Sequence, residues 1–241
     1  MNENESKTLI TRGYDDALPL AEILVKLGAY PIIDSLLKVN YCKNVNLELD
    51  RVQALLMTSA NGVRAFSKIS KARNLLVYAV GDATAYEAKK NGFVFVKSAS
   101  GNVKDLAKVV IQTLDPKGGK VCHITGSRVA GELGQIIVAS GFEYFRAVLY
   151  KTEESQRFLN STLQAFKYND ISSVLLYSPR TAITFRKLVF LAGIKTRLED
   201  VKIFCLSDAV AKEVLVFPKR NLIVSKTPDQ DSLLSKFNQQ R

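Results

Sequence analysis

Short apolar runs alternate along the chain with segments whose apolar positions recur every third or fourth residue, the pattern of strands followed by amphipathic helices. Apolar runs at Thr8–Arg12, Ala54–Thr58, Leu75–Val80 and Phe93–Val96 read as buried strands, as do Val121–Thr125, Ser173–Tyr177, Val201–Leu206 and Leu222–Val224. Helical spacing occupies Ala17–Leu27, Asn61–Ile69, Ala83–Lys90, Val103–Leu114 and Leu133–Ser140, then Phe158–Phe166, Thr181–Ala192, Asp208–Leu215 and Asp231–Phe237. Start and stop signals agree: Asp15-Asp16 precede the first helix and Gly28 follows it, while Asp82 is placed to cap the third and Asn91-Gly92 to end it. Leu47–Arg51 reads as a short helical turn, and Asp115-Pro116-Lys117-Gly118-Gly119 as a turn. Strand-helix alternation of this kind predicts an α/β fold with mainly parallel sheets.

The pattern also repeats. Leu55–Phe66 joins an apolar strand to a helix through Thr58-Ser59-Ala60, and Leu175–Lys187 does the same through Ser178-Pro179-Arg180, with Ser178 at 178 − 59 = 119 residues beyond Ser59. Leu9-Ile10-Thr11 with Gly28 is echoed by His123-Ile124-Thr125 with Gly141. The first echo carries three strand-helix units in each half and the second carries one, so the chain reads as a duplicated four-unit domain. Two β-leaning runs, Tyr30–Asn40 and Phe142–Thr152, exceed ordinary strand length and follow the two single units. They predict extended arms through which the chain leaves one domain and later returns. The expectation is two similar parallel-sheet, three-layer α/β domains joined by a two-stranded antiparallel linker. Domain one is discontinuous, residues 1–35 plus 153–241; domain two is inserted at 36–152; the arms are 34–40 and 146–152.

Composition narrows the chemistry. Three cysteines lie far apart and there is one histidine, His123, so neither a zinc site nor a Ser-His-Asp triad assembles from the sequence. No dinucleotide fingerprint or P-loop occurs. The opening residues are polar and acidic and no apolar run spans a bilayer, so a cytoplasmic protein with no membrane partner is expected. A formal charge of +11, from 34 Lys+Arg against 23 Asp+Glu, favours a polyanionic partner. No basic stripe interleaved with aromatics points to nucleic acid.

Ligands of open parallel sheets bind beyond the carboxyl ends of the strands, beside helix N-termini that present free N–H groups to anions. The loops so placed hold Thr58, Ser59, Ala60 and Asn61; Gly81, Ala83 and Thr84; Gly126; Ser178; and Ser207 with Ala209. Each alone is an ordinary helix cap, but five together predict a cleft for carboxylates or phosphates across two domains. Tyr150, on the returning arm, puts a phenol where the repeat has Leu37, and is the candidate for proton chemistry.

In order and spacing, Thr58–Phe66, Val80–Ala85 with Gly92-Phe93, Val148–Thr152 and Leu176–Pro179 together resemble the uroporphyrinogen-III synthase family. The likeness runs from Thr11-Arg12, whose Arg12 joins the candidate substrate contacts, to the last helix. It implies two α/β domains on a two-stranded linker and a monomeric enzyme without metal or organic cofactor. The implied reaction cyclises hydroxymethylbilane, a linear tetrapyrrole bearing eight carboxylates, with loss of water and inversion of ring D. Tyr150 matches the family's linker-proximal tyrosine and is implied as general acid. Ser207-Asp208-Ala209-Val210 departs from the family's Gly-Thr-Thr pattern, and Asp208 is expected to cap its own helix. The rival expectation is a two-domain sensor for a polycarboxylate, without catalysis.

Overall fold

The computed structural model describes residues 6–43, 45–127 and 132–240. Its chain divides into two compact units, Met1–Lys38 with Glu153–Arg241, and Val39–Thr152.

The first unit is built on β1 (Lys7–Ile10), β2 (Tyr30–Ile33), β9 (Ile171–Leu176), β10 (Lys202–Cys205) and β11 (Leu222–Val224), in spatial order β11-β10-β9-β1-β2. Every pairing is parallel, with Ile10 beside Leu175 and Cys205 beside Leu176. The inner strands β1, β9 and β10 are mostly buried between helical layers, which is why they read as apolar runs, whereas β2 and β11 lie at the edges and are partly exposed. On one face α1 (Tyr14–Lys26) and α9 (Gln230–Gln240) pack over Ile10, Leu175 and Phe204. On the other, α6 (Asn160–Lys167), α7 (Pro179–Leu191) and α8 (Asp208–Lys212) bury Phe158, Phe166 and Phe185 against Leu9, Val174 and Ile203.

The second unit holds β3 (Leu37–Tyr41), β4 (Val52–Met57), β5 (Leu76–Ala79), β6 (Val96–Ser98), β7 (Lys120–Gly126) and β8 (Tyr144–Glu154), in order β3-β8-β7-β4-β5-β6. The pairs from β8 to β6 are all parallel. Here α2 (Ala60–Ile69) and α3 (Asp82–Lys90) cover Leu55, Met57, Cys122 and Ile124, while α4 (Val103–Thr113) and α5 (Leu133–Ala139) cover Ala54, Leu56 and Val121.

Taking the first unit's strands in chain order, its sheet runs 2-1-3-4-5, the doubly wound arrangement whose direction of winding reverses between the first and third strands. That switch point lies between β1 and β9. In the second unit β8-β7-β4-β5-β6 repeats the layout with β7 in the place of β1 and β4 in the place of β9, so its switch point lies between β7 and β4. The duplicated sequence pattern therefore maps onto two equivalent sheets, one of which receives its units in permuted chain order.

Four local expectations change. Tyr30–Asn40 is not one strand: it breaks at Asp34, a buried carboxylate that accepts the Leu159 N–H at 2.8 Å, and at fully buried Leu36, whose N–H donates to Thr11. Beyond the break, Cys42 N–H donates to Leu149 O and Ser155 N–H to Leu36 O, so partner numbers fall as chain numbers rise. Leu47–Arg51 forms no helix; Arg51 takes a left-handed conformation (φ 56°) that turns the chain into β4. The strand expected at Phe93–Val96 begins only at Val96, because Phe93 packs against Phe66 beneath α2. Asp82 and Asp208 do not cap their helices. Gly81 and Ser207 hold the cap positions, and each aspartate is the first helical residue. Asp82 instead accepts the Ser100 hydroxyl at 2.9 Å.

Candidate active site

The predicted site residues fall at the carboxyl ends of both sheets, where alternating side-chain direction sends neighbours to opposite faces. In the second unit Thr58 and Ser59 follow β4 at its switch point. Ser59 takes extended backbone (φ −158°, ψ 153°) and its Oγ accepts the Gly62 N–H at 3.1 Å, capping α2. The close packing of Gly62 on the Ile124 carbonyl, where a β-carbon would stand 3.3 Å away, keeps this helix start tight on β7. Ala60 and Asn61 form the first turn. Arg64 of the same turn is bound through two hydrogen bonds, 2.9 and 3.1 Å, to Glu87 of α3, and it also donates to Asn61 Oδ1 at 3.3 Å.

Across the switch point, Tyr150 of β8 pairs in register with Gly126, the last residue of β7. The phenol folds over this glycine: a β-carbon there would meet ring atoms Cε2 and Cζ at 2.8 and 2.9 Å. Its Oη reaches Ser59 Oγ at 2.9 Å. Ser59 already accepts from the Gly62 N–H, so its own hydrogen is available to Tyr150 Oη, leaving the phenolic proton free to point elsewhere. Gly81, Ala83 and Thr84 stand one strand further along, at the start of α3, with Thr84 buried and Ala83 exposed.

On the other face of the sheet lies a group the sequence reading passed over. His123, 1% exposed, is hydrogen-bonded to Tyr144 Oη through Nδ1 (2.8 Å) and to Thr58 Oγ1 through Nε2 (3.2 Å). Burial, reinforced by the nearby Arg146 guanidinium, pulls the imidazole down to about 4. The same burial pushes the Tyr144 phenol up to about 12, with Arg146 opposing it. The signal was present: Tyr144 and Arg146 alternate with apolar residues along the returning arm, so both point away from the Phe145 and Ala147 side.

In the first unit, Arg12 leaves β1 with its guanidinium 4.3 Å over the Tyr177 ring, donating to Gln230 Oε1 at 2.8 Å and lying 3.7 Å from Asp16. Burial raises Tyr177 to about 12 against the pull of Arg12. Ser178 caps α7 as its counterpart caps α2, accepting the Thr181 N–H at 3.1 Å. Ser207 opens α8 through its carbonyl alone, and Ala209 is exposed in the first turn. Arg12, Ser178 and Ser207 thus mark the ends of the adjacent strands β1, β9 and β10.

His123 gives a stability prediction. Unfolded, it titrates near 6.5; folded, it stays neutral to about 4. A depressed histidine costs nothing at neutral pH, where both states are uncharged. As pH falls from about 6.5 to 4 the unfolded chain gains a proton that the fold refuses, removing roughly 3 kcal/mol of stability. Urea unfolding of wild type and His123→Gln across this window should show the decline in the first and a flatter profile in the second.

Two equivalent doubly wound sheets, each with a serine-capped helix start at its switch point, define a duplicated α/β protein. Residues 19–235 match the family model described as Uroporphyrinogen-III synthase HemD. The chain belongs to the uroporphyrinogen-III synthase family, cyclising lyases that convert hydroxymethylbilane to uroporphyrinogen III in haem biosynthesis. It is similar in structure to the uroporphyrinogen-III synthetase of Helicobacter pylori 26695, at 15% identity and a TM-score of 0.68, covering 98% of this chain and 100% of that one. A mutant uroporphyrinogen III synthase from the extremely thermophilic bacterium Thermus thermophilus superposes with a TM-score of 0.52 at 14% identity, covering 97% and 98%. No curated protein sequence matches the chain. Among the described residues no helix is long and apolar enough to cross a membrane.

Proposed function

We propose that this chain performs the family reaction through positioning, with Tyr150 as the general acid and the strand-end loops of each unit as carboxylate receptors. The observation that carries the reading is the 2.9 Å contact of Tyr150 Oη with Ser59 Oγ at a helix N-terminus. Tyr150 gives its proton to the departing hydroxymethyl oxygen, the C–O bond breaks with loss of water, and the pyrrole nitrogen's electron pair leaves an azafulvenium cation on the tetrapyrrole. The phenolate left behind is stabilised by the Ser59 hydrogen and by the positive end of α2. Closure through a spiro intermediate then inverts ring D, and the proton that ring D loses on final bond formation returns to the Tyr150 phenolate.

Holding so flexible a chain in one reactive fold can supply about 7–11 kcal/mol of barrier lowering by orientation alone. Backbone N–H groups around Ser59, Asn61, Gly81 and Ala83 in one unit, and around Ser178, Ser207 and Ala209 in the other, are the proposed partners of the acetate and propionate groups. Thr58, Thr84 and Arg12 add side-chain donors, and the formal charge of +11 favours the approach of an eight-carboxylate substrate. The chain is taken to act as a cytoplasmic monomer, without nucleic acid. The deciding assay incubates the purified protein with hydroxymethylbilane and separates the isomers: type III product is expected, and type I alone would leave only a binding protein.

A further inference from the structure

The row Tyr144–His123–Thr58 is hydrogen-bonded end to end inside one unit and ends just beyond the carboxyl end of β4. Thr58 Oγ1 meets no other described partner, His123 carries both contacts on opposite ring nitrogens, and Tyr144 closes the row. Its ring is seated by Gly134 of α5, where a β-carbon would stand 2.7 Å from Tyr144 Cε1. The ring therefore occupies space that any other residue at 134 would contest.

A neutral imidazole donates from one nitrogen and accepts at the other, so the row has two possible directions. The phenol is the more acidic partner and lies in the shorter contact, 2.8 Å, which fits an O–H donating to Nδ1. The 3.2 Å contact then fits the weaker N–H of Nε2 donating to Thr58 Oγ1. In that direction Thr58 spends an acceptor on histidine and keeps its own hydrogen. In the reverse direction Thr58 would spend its hydrogen on Nε2 and present only lone pairs, which repel a carboxylate.

We propose that Tyr144 and His123 are positioning residues that set the direction of the Thr58 hydroxyl, so that it donates to a carboxylate of the bound tetrapyrrole. The inference rests on Thr58 being a substrate contact, as read above. Burial, reinforced by Arg146, keeps the imidazole neutral; a charged ring would donate at both nitrogens and reverse the contact with the phenol.

Because the chain has a single histidine, ring-15N NMR at pH 7 reads its tautomer without assignment ambiguity. The expected spectrum has Nε2 protonated and Nδ1 bare, and Tyr144→Phe, whose ring still fills the seat at Gly134, shifts the population toward Nδ1–H. In kinetics, Tyr144→Phe should raise KM for hydroxymethylbilane about 2- to 10-fold, the span of one hydrogen bond, while kcat holds. The same substitution in a Thr58→Val background should add nothing further to KM. An Nδ1–H tautomer in the wild type, or an equal Tyr144→Phe effect with and without Thr58, overturns the relay. A Thr58→Val enzyme with wild-type KM overturns instead the placing of Thr58 at the substrate. Circular dichroism and the melting temperature of each variant separate both results from simple unfolding.

Discussion

Tyr150→Phe is expected to lower kcat by about two orders of magnitude or more, the usual contribution of a positioned general acid. The loss should fall on kcat and kcat/KM together, because the proton is needed only as the hydroxyl departs. The fold should be almost untouched: the ring still lies on Gly126, and the lost contact with Ser59 costs about 1 kcal/mol. Single-turnover measurement with freshly prepared hydroxymethylbilane, followed by isomer separation, is the check. A variant retaining near-normal kcat removes Tyr150 from the chemistry and leaves it as a residue that orients a ring.

Gly126→Ala is expected to do nearly as much harm without touching a reactive group. The new methyl would stand 2.8 Å from Tyr150 Cε2, against the 3.5–4.0 Å at which carbon atoms rest together, so the ring must shift by about an ångström. Displacement on that scale can cost on the order of 100-fold in rate. The two changes should also fail to add: once Tyr150 is phenylalanine, moving its ring has little left to disturb. Normal kcat in the Gly126→Ala enzyme, or full additivity in the double variant, would show that the seat of the ring does not matter.

Part of this architecture was written in local sequence. The apolar runs that became β4, β7 and β9 are buried on both faces, so nothing in their alternation was hidden by a polar side. Ser59 and Ser178 could be recognised as caps because a cap acts within its own first turn, on N–H groups three residues away. Asp82 and Asp208 misled for the same reason: an acidic residue suits both the cap and the first helical position, and only backbone angles distinguish them. The break at Asp34 was not readable, since it depends on the Leu159 N–H, 125 residues further along the chain.

The site divides along the same line. By itself the sequence determined that the fold is α/β, that it is duplicated, and that hydroxyl and glycine residues end its strands, because periodicity and capping are local properties. The register that lays Tyr150 over Gly126, and the row from Tyr144 through His123 to Thr58, were decided only by the tertiary structure. Parallel strands meet through long crossovers, and a slip of one residue would send each of these side chains to the opposite face. Side-chain chemistry was visible residue by residue. Partnership between residues far apart in the chain follows from packing, which no short window of sequence contains.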